Sequence, residues 1–357
     1  FELGLISDGL KVINSSLTAY DVFLQTIPYR FYPIATIVFV FLISYMGRDF
    51  GPMLKAEINA RKGGKLSSID DAEMDKSLSD RYLYTGNKAR WWNAAIPILI
   101  ILFGTIAGLV FTGIDALKAQ GSNDFSLRMI ISNSDSYVSL LWASLIAGII
   151  AIIMSISQKI LNLQSSFNAW TKGIESMLFA NLILVFAWAI SSVTTDLKTA
   201  DYILSVISNS LDPRLLPVIV FLICALTSFS TGTSWGTMAI VMPIVIPLGH
   251  KLSVTAGLNS ADANIVLYGV VSSVLAGSVF GDHCSPIADT TILSSLASGC
   301  NHVDHVRTQL PYAVLIAIVC MVLGDIPTGY GLHPLISIIG ISIILFVILR
   351  LKGKIVI

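Results

Sequence analysis

The sequence predicts an all-α polytopic membrane protein, on three observations. Charged residues make up only 12% of the chain and apolar residues 54%, where a soluble domain carries about 25% charged. Mean hydropathy is +0.78. The charges cluster, leaving apolar runs long enough to cross a hydrocarbon layer about 30 Å thick. The net charge of zero gives a nucleic-acid partner no electrostatic footing. Cys224, Cys284, Cys300 and Cys320 stand singly in or beside apolar segments, without the spacing of a zinc site or a disulfide framework. The chain opens on Phe1 with no signal peptide ahead of it, so a processed or truncated N-terminus is expected.

Taken in order, the apolar runs place spans at 31–46, 94–112, 137–155 and 177–193. Further runs follow at 215–230, 238–248, 265–280, 287–297, 310–323 and 334–349. Between the first two spans lies a loop holding nine of the 22 Lys and Arg residues. The positive-inside rule makes this 47–94 loop cytoplasmic, together with the C-terminal Arg350, Lys352 and Lys354. Trp91 and Trp92 mark its return to the interface, and the acidic tract 70–80 is expected to be a solvated surface. Residues 159–175 mix Leu, Phe and Trp with Lys, Gln and Asn, as an interfacial connecting helix would. Asn181 is expected to bond to a neighbouring helix, Asp196 and Asp201 to serve turns, and Asp325 to sit at the interface before Ile326-Pro327.

Several later runs are too short to span alone. The pairs 215–230/238–248 and 265–280/287–297 are each interrupted by a polar stretch. Three spans after the cytoplasmic loop leave 194–214 outside, and two spans counted back from the C-terminus leave 300–309 inside. The two interrupted elements must together cross the membrane once, so one is a re-entrant hairpin and the other a broken span. Gly269, Ser273, Gly277 and Gly281 recur every four residues, a small-residue stripe that lets another helix approach closely.

The interruptions are where function is expected, since backbone leaves the helix at membrane depth only where buried or lining a cavity. The first, 228–237, carries Ser228, Ser230, Thr231, Thr233, Ser234 and Thr237 around Gly232 and Gly236. Glycine frees the backbone to turn, and hydroxyls supply neutral oxygen ligands for a dehydrated alkali cation. Alternatively, those hydroxyls bond back to helix carbonyls. The second, 281–291, places Asp282, His283, Ser285, Asp289, Thr290 and Thr291 around Pro286, which cannot continue a helix. An ionisable group at the bilayer centre costs about 3 kcal/mol, so it normally faces a cavity or a partner. Low dielectric favours the neutral form of a carboxyl group, so proton and cation can compete for one acid, the minimum chemistry for exchange. Against this stand a helix cap or ion pair for Asp282, and a cap of the next helix for Asp289. His283 could carry a proton or orient Asp282. Consecutive Asp282, His283, Cys284 and Ser285 cannot converge on one metal, and no catalytic triad is completed.

At these breaks the chain resembles the NhaC family of sodium/proton antiporters. The resemblance rests on Thr231-Gly-Thr-Ser-Trp-Gly-Thr237, Met242-Pro-Ile-Val-Ile-Pro247, Gly281-Asp-His-Cys-Ser-Pro-Ile-Ala-Asp-Thr-Thr-Ile-Leu-Ser-Ser295 and Asn301-His-Val-Asp-His-Val-Arg-Thr-Gln-Leu-Pro-Tyr312. It covers at least 183–317, and Tyr32-Pro33 and Arg48-Asp-Phe-Gly-Pro52 look similar to a longer branch of the family. The resemblance implies an ion-transporter-type inverted-repeat fold, in which a re-entrant hairpin precedes a discontinuous helix. It assigns 215–248 to the hairpin and 265–297 to the broken helix. Nothing before Ala94 repeats the Thr-Gly-Thr-Ser-Trp motif, so only the second repeat is expected here. The implied layout is 1–46 as the end of a preceding half with one span, 47–93 as a charged cytoplasmic loop, and 94–357 as the transmembrane domain.

The function the resemblance implies is sodium/proton antiport across the bacterial cytoplasmic membrane. Asp282 is the shared carboxylate, with His283 as its partner. Thr231, Thr233, Ser234 and Thr237 are neutral ligands, with Ser285, Asp289 and Thr290 in support. Sodium is expected at these same residues, with no transition metal and no cofactor. The expected partners are membrane lipid, the transported ion or a small organic solute, and a second copy in a homodimer. Relatives of these antiporters move amino acids or organic acids, which leaves coupled solute transport as the alternative. An embedded enzyme is disfavoured, because no catalytic constellation is complete.

Overall fold

The apolar runs become helices that overshoot them at most ends. A computed structural model describes residues 1–62, 90–121, 125–197, 211–298 and 300–355, and these are almost entirely helical. Among the described residues, seven helices are long and apolar enough to cross a membrane, or up to eight if the pair Ala19–Tyr29 and Phe31–Met46, bent by 43°, is one span. The acidic tract 70–80, Asp201 and the side chain of Asn181 lie outside the described residues. The chain divides into two compact units, Phe1–Arg81 with Ala180–Ile357, and Tyr82–Phe179.

The first unit begins with two helices that the apolar runs did not announce. Helix α1 (Glu2–Val12) buries Leu5, Ile6, Gly9 and Leu10 on one face. The spacing is that of an amphipathic helix, too short to stand out by hydropathy. Helix α2 (Ala19–Thr26) starts where Thr18 accepts a hydrogen bond from the Asp21 N–H. Helix α3 (Phe31–Met46) matches its apolar run and stops at Gly47, whose φ of 58° is left-handed. Strand β1 (Arg48–Asp49) pairs antiparallel with β2 (Lys354–Ile355) near the C-terminus, a small exception to the all-α expectation. Arg48 holds this pairing by donating to the carbonyls of Arg350 and Gly353 at 3.0 and 2.9 Å. Helix α4 (Gly51–Arg61) follows.

The second unit contains α5 (Trp92–Ala119), α6 (Leu127–Ser132) and α7 (Ser136–Ser157). Small residues bring α5 and α7 together: a Cβ added at Gly108 would lie 2.8 Å from that of Ser139. Helix α8 (Leu163–Asp196) is continuous and crosses the boundary between the units. The expected division into an interfacial helix at 159–175 and a span at 177–193 therefore does not hold. Only Gly173 weakens the helix between them, and one glycine costs about 1 kcal/mol, too little to stop it.

Three helices form the centre of the first unit: α9 (Leu216–Thr231), α10 (Ser234–Thr255) and α11 (Ser260–Cys284). The small-residue ladder on α11 meets α9. A Cβ added at Gly277 would stand 2.5 Å from the Phe221 carbonyl oxygen, and one at Gly281 2.5 Å from that of Ala225. Helix α10 runs through Pro243 and Pro247 for 22 residues, so the expected short arm at 238–248 is in fact long enough to cross a membrane. Prolines inside a membrane-spanning helix are tolerated where neighbouring groups satisfy the freed carbonyls.

Helix α11 also overshoots. The break begins at Ser285, not at Gly281 as expected, because Gly281 serves close contact with α9 instead of a turn. Ser285 is extended (φ −71°, ψ 132°), the conformation forced on a residue before proline. Helix α12 (Asp289–Ala297) resumes, and α13 (His302–Cys320) starts on an Asn301 cap. A π-helical turn, Met321–Asp325, then leads into α14 (Ile326–Gly329). Asp325, expected at the interface near the end of this span, is only 6% exposed. The helix does not end before Pro327, because this proline falls in the first turn of α14, where its missing N–H is not needed. Helix α15 (Pro334–Lys352) completes the fold.

Candidate functional site

The two interruptions meet in space. Gly232 closes α9 in a left-handed conformation (φ 68°), with its N–H donating to the Ser228 carbonyl at 2.8 Å. A Cβ on Gly232 would lie 2.7 Å from Cγ1 of Ile287, in the second break. Thr233 is extended and caps α10, its Oγ1 accepting from the Gly236 N–H at 3.3 Å. The tip is therefore a glycine turn followed at once by a capped helix start.

The hydroxyls of the tip are directed inward to backbone. Thr231 donates to the Thr227 carbonyl at 2.9 Å, Thr237 to that of Thr233 at 3.0 Å, and Ser230 to that of Leu226 at 2.8 Å. Ser228 donates across to the Ser278 carbonyl at 2.7 Å. Back-bonding of this kind was the alternative raised by the sequence, and it describes Ser230, Thr231 and Thr237. It does not remove them as ligands: a hydroxyl that has donated its proton keeps lone pairs, now held in a fixed direction. Ser234 and Thr237 are buried, Thr233 is half-buried and Thr231 is exposed.

Asp282 lies in the last turn of α11 and is half-buried. Its Oδ2 accepts from Thr290 Oγ1 at 3.1 Å, and the backbone N–H of Ser234 lies near its carboxylate. Ser234 is the first residue of α10, so the acid faces a helix N-terminus, where backbone dipoles favour negative charge. Asp289 is exposed in the first turn of α12, close enough for its charge to act on Asp282. The end of α11 and the starts of α10 and α12 thus converge on one carboxylate. Ser285 is fully buried, and its Oγ accepts from the Ile287 N–H at 3.3 Å, which makes it part of the turn.

No hydrogen bond joins His283 to Asp282. Adjacent residues on a helix point about 100° apart, and the His283 Nδ1 is hydrogen-bonded to the Tyr32 hydroxyl at 2.8 Å. The ring lines a cavity of about 470 Å³ together with Thr36, Asp49, Glu57, Gln309 and Tyr312. Gln309 donates to the His283 carbonyl at 2.7 Å. His302 fastens the break, with Nε2 on the Pro286 carbonyl at 2.5 Å and Nδ1 on Ser295 Oγ at 3.2 Å. Tyr32, Gln309 and His302 were not picked out as site residues from the sequence. Each lies in a stretch that carried the family resemblance, which was the one signal available.

Comparison with known proteins adds the following. A family model described as "Na+/H+ antiporter family" matches residues 1–324. Over 344 residues the chain is 34% identical to a Haemophilus influenzae protein described as uncharacterized, covering 96% of this chain and 62% of that one. It is 30% identical over 161 residues to the malate-2H(+)/Na(+)-lactate antiporter of Bacillus subtilis, covering 44% and 32%. It is 25% identical over 238 residues to the Na(+)/H(+) antiporter NhaC of Alkalihalophilus pseudofirmus, covering 65% and 44%. The chain thus spans less than two thirds of the length of these curated relatives. No solved structure matches it.

Proposed function

Since the chain belongs to the Na+/H+ antiporter family, a family of transporters, we propose that it works as a secondary active transporter exchanging cytoplasmic sodium for external protons by alternating access. Its membrane is the bacterial cytoplasmic membrane. The observation that carries this reading is the carboxylate of Asp282, held by the Thr290 hydroxyl near the start of α10 and beside a tip of oriented hydroxyl oxygens. An acid in that setting takes either a proton or a cation, and cannot hold both.

Each residue has a part in the cycle. Ionised Asp282 holds sodium, with the Thr290 hydroxyl, the lone pairs of Ser234 and Thr237, and the Thr231 and Thr233 oxygens completing the ligand set. Asp289 adds negative charge nearby and attracts the cation. Ser285 and His302 keep the break in shape. When a proton arrives at Asp282, the carboxyl becomes neutral and sodium leaves. His283, with Tyr32 fixing its ring, faces the water-accessible cavity and passes protons towards the break.

Everted vesicles carrying the full-length protein test this. Added sodium dissipates a preformed pH gradient, and Asp282→Asn abolishes the effect. An Asp282→Asn protein that still exchanges at the wild-type rate refutes the assignment.

A second reading is favoured by the cavity, which at about 470 Å³ falls within the range that small-molecule sites occupy. On this reading the coupled substrate is a small carboxylate or amino acid. Sodium-dependent uptake of labelled organic solute exceeding any sodium-driven proton flux would favour it over simple exchange.

A further inference from the structure

Asp325 is the most enclosed acid among the described residues, at 6% exposed. It closes the π-helical turn Met321–Asp325; such turns are rare and gather at functional sites. Helices α9, α13, α14 and α15 pack against the turn, Phe31 of α3 covers Gly324, and Ser273 of α11 stands beside the carboxyl group.

These surroundings offer nothing to balance a negative charge. Among the described residues, no Lys, Arg or His forms an ion pair with Asp325. The titratable group that faces it is the buried thiol of Cys320, on its own helix, whose ionised form would repel it. Hydrogen bonding is equally thin. The Ser273 hydroxyl is 1% exposed and makes no well-aligned hydrogen bond, and the neighbouring Ser272 hydroxyl, fully buried, is also unpartnered. Natural proteins seldom leave buried hydroxyls unpaired without a use for them.

The chemistry then narrows the occupant. An ionised carboxylate in an enclosed, unpaired setting is expensive, whereas the neutral acid is easily accommodated. A dehydrated alkali cation would neutralise the charge but needs several converging oxygens, and here one carboxyl and one or two hydroxyls are at hand. A proton needs only the carboxyl. Once neutral, the acid can donate its O–H to Ser273, which satisfies both groups.

We propose that Asp325, with Ser273 as its hydrogen-bond partner, is a second coupling site that carries a proton, separate from the cation site at Asp282. Ser273 precedes Asp282 by nine positions on α11, roughly 13 Å along that helix, so the two acids meet α11 at different levels. The coupling role rests on the transport reading given above, but the neutral state of the acid does not.

The test uses the purified full-length protein. Infrared difference spectra at neutral pH, wild type against Asp325→Asn, should show the carbonyl stretch of a protonated carboxylic acid that the variant lacks. Ser273→Ala should shift that band, which keeps the test alive if Asp325→Asn does not fold. In proteoliposomes, Asp325→Asn should keep sodium affinity within about twofold yet lose about tenfold or more of the proton flux coupled to sodium, a loss corresponding to about 1.4 kcal/mol. No difference band, a band unmoved by Ser273→Ala, or unaltered proton coupling in Asp325→Asn each overturns the proposal. If the wild type shows the band but no sodium-driven proton movement, the transport reading fails and takes the coupling role with it. A wild type that exchanges normally without the band overturns the Asp325 site alone.

Discussion

Replacing Gly232 by alanine asks whether backbone geometry holds the hydroxyl-rich tip against the second break. Gly232 has a φ of 68°, where an L side chain costs about 1–2 kcal/mol. The new methyl would also stand 2.7 Å from Cγ1 of Ile287 and 3.0 Å from its carbonyl carbon and oxygen. The side-chain carbon can move, but the carbonyl is backbone in a tight turn, so the tip itself must lift. Overpacking of this sort costs about 1–3 kcal/mol. Gly257 provides the control, with the same φ of 68° and nothing within 4 Å of an added Cβ. Gly257→Ala therefore carries the conformational cost alone. The difference between the variants, about 1–3 kcal/mol, measures the contact between tip and break. It corresponds to a roughly 5- to 150-fold weaker sodium affinity for Gly232→Ala, with Gly257→Ala close to wild type. Sodium titration of exchange in proteoliposomes reads the affinity, and thermal unfolding in detergent reads the conformational cost shared by both. Equal sodium affinity in the two variants would refute the tip–break coupling.

Other outcomes follow from single contacts. Tyr32→Phe removes the hydroxyl bonded to His283 Nδ1 but touches nothing at Asp282. Exchange should slow by about fivefold, the effect of a lost hydrogen bond of about 1 kcal/mol, while the sodium concentration for half-maximal rate stays put. Tyr312→Phe deprives the buried Asp49 of its 2.8 Å donor and the Phe50 N–H of its 3.1 Å acceptor; thermal unfolding should report a loss of about 1–3 kcal/mol. Cys300 lies between membrane-spanning segments, where burial and then Asp304 push its thiol up. The thiolate is therefore scarce at neutral pH, and maleimide labelling should accelerate as pH climbs past the ordinary thiol range near about 8.5. Because Cys224, Cys284 and Cys320 are buried, mass spectrometry should find the label on Cys300; ready labelling at pH 7 would contradict this.

Much of the fold was legible because long apolar helices announce themselves. Phe31–Met46 begins and ends as its apolar run does, since Gly47 provides a left-handed stop. Helices α1 and α2 went unread because each is short and apolar on one face only. Helix α10 was cut too short because its ends are polar: Ser234–Thr237 and Gly249-His-Lys251 continue the helix beyond the apolar run 238–248. At the site, the glycines, hydroxyls and acids of the two breaks were readable as clusters, and the structure brings both clusters together. Their pairwise arrangement was not readable. The approach of the α10 start to Asp282 depends on where that helix begins, and Tyr32 on His283 joins residues 251 positions apart. The enclosure of Asp325 went unread for a related reason. A proline two residues later looked like a helix end, and nothing local foretells a π turn that carries the helix past it.

The contact between α9 and α11 constrains any mechanism. Where the Gly277 and Gly281 positions press on the Phe221 and Ala225 carbonyls, there is no room for even one methyl group. Two rods fitted so closely have no lubricating layer of side chains, so they cannot slide or tilt against each other by small steps. They behave as one beam. Opening towards either face of the membrane must then be taken up at looser seams around that beam, such as the cavity wall formed by Thr36, Asp49 and Glu57. Spectroscopic distance labels on α9 and α11 would stay at constant separation through a transport cycle, while labels on α3 would move relative to both.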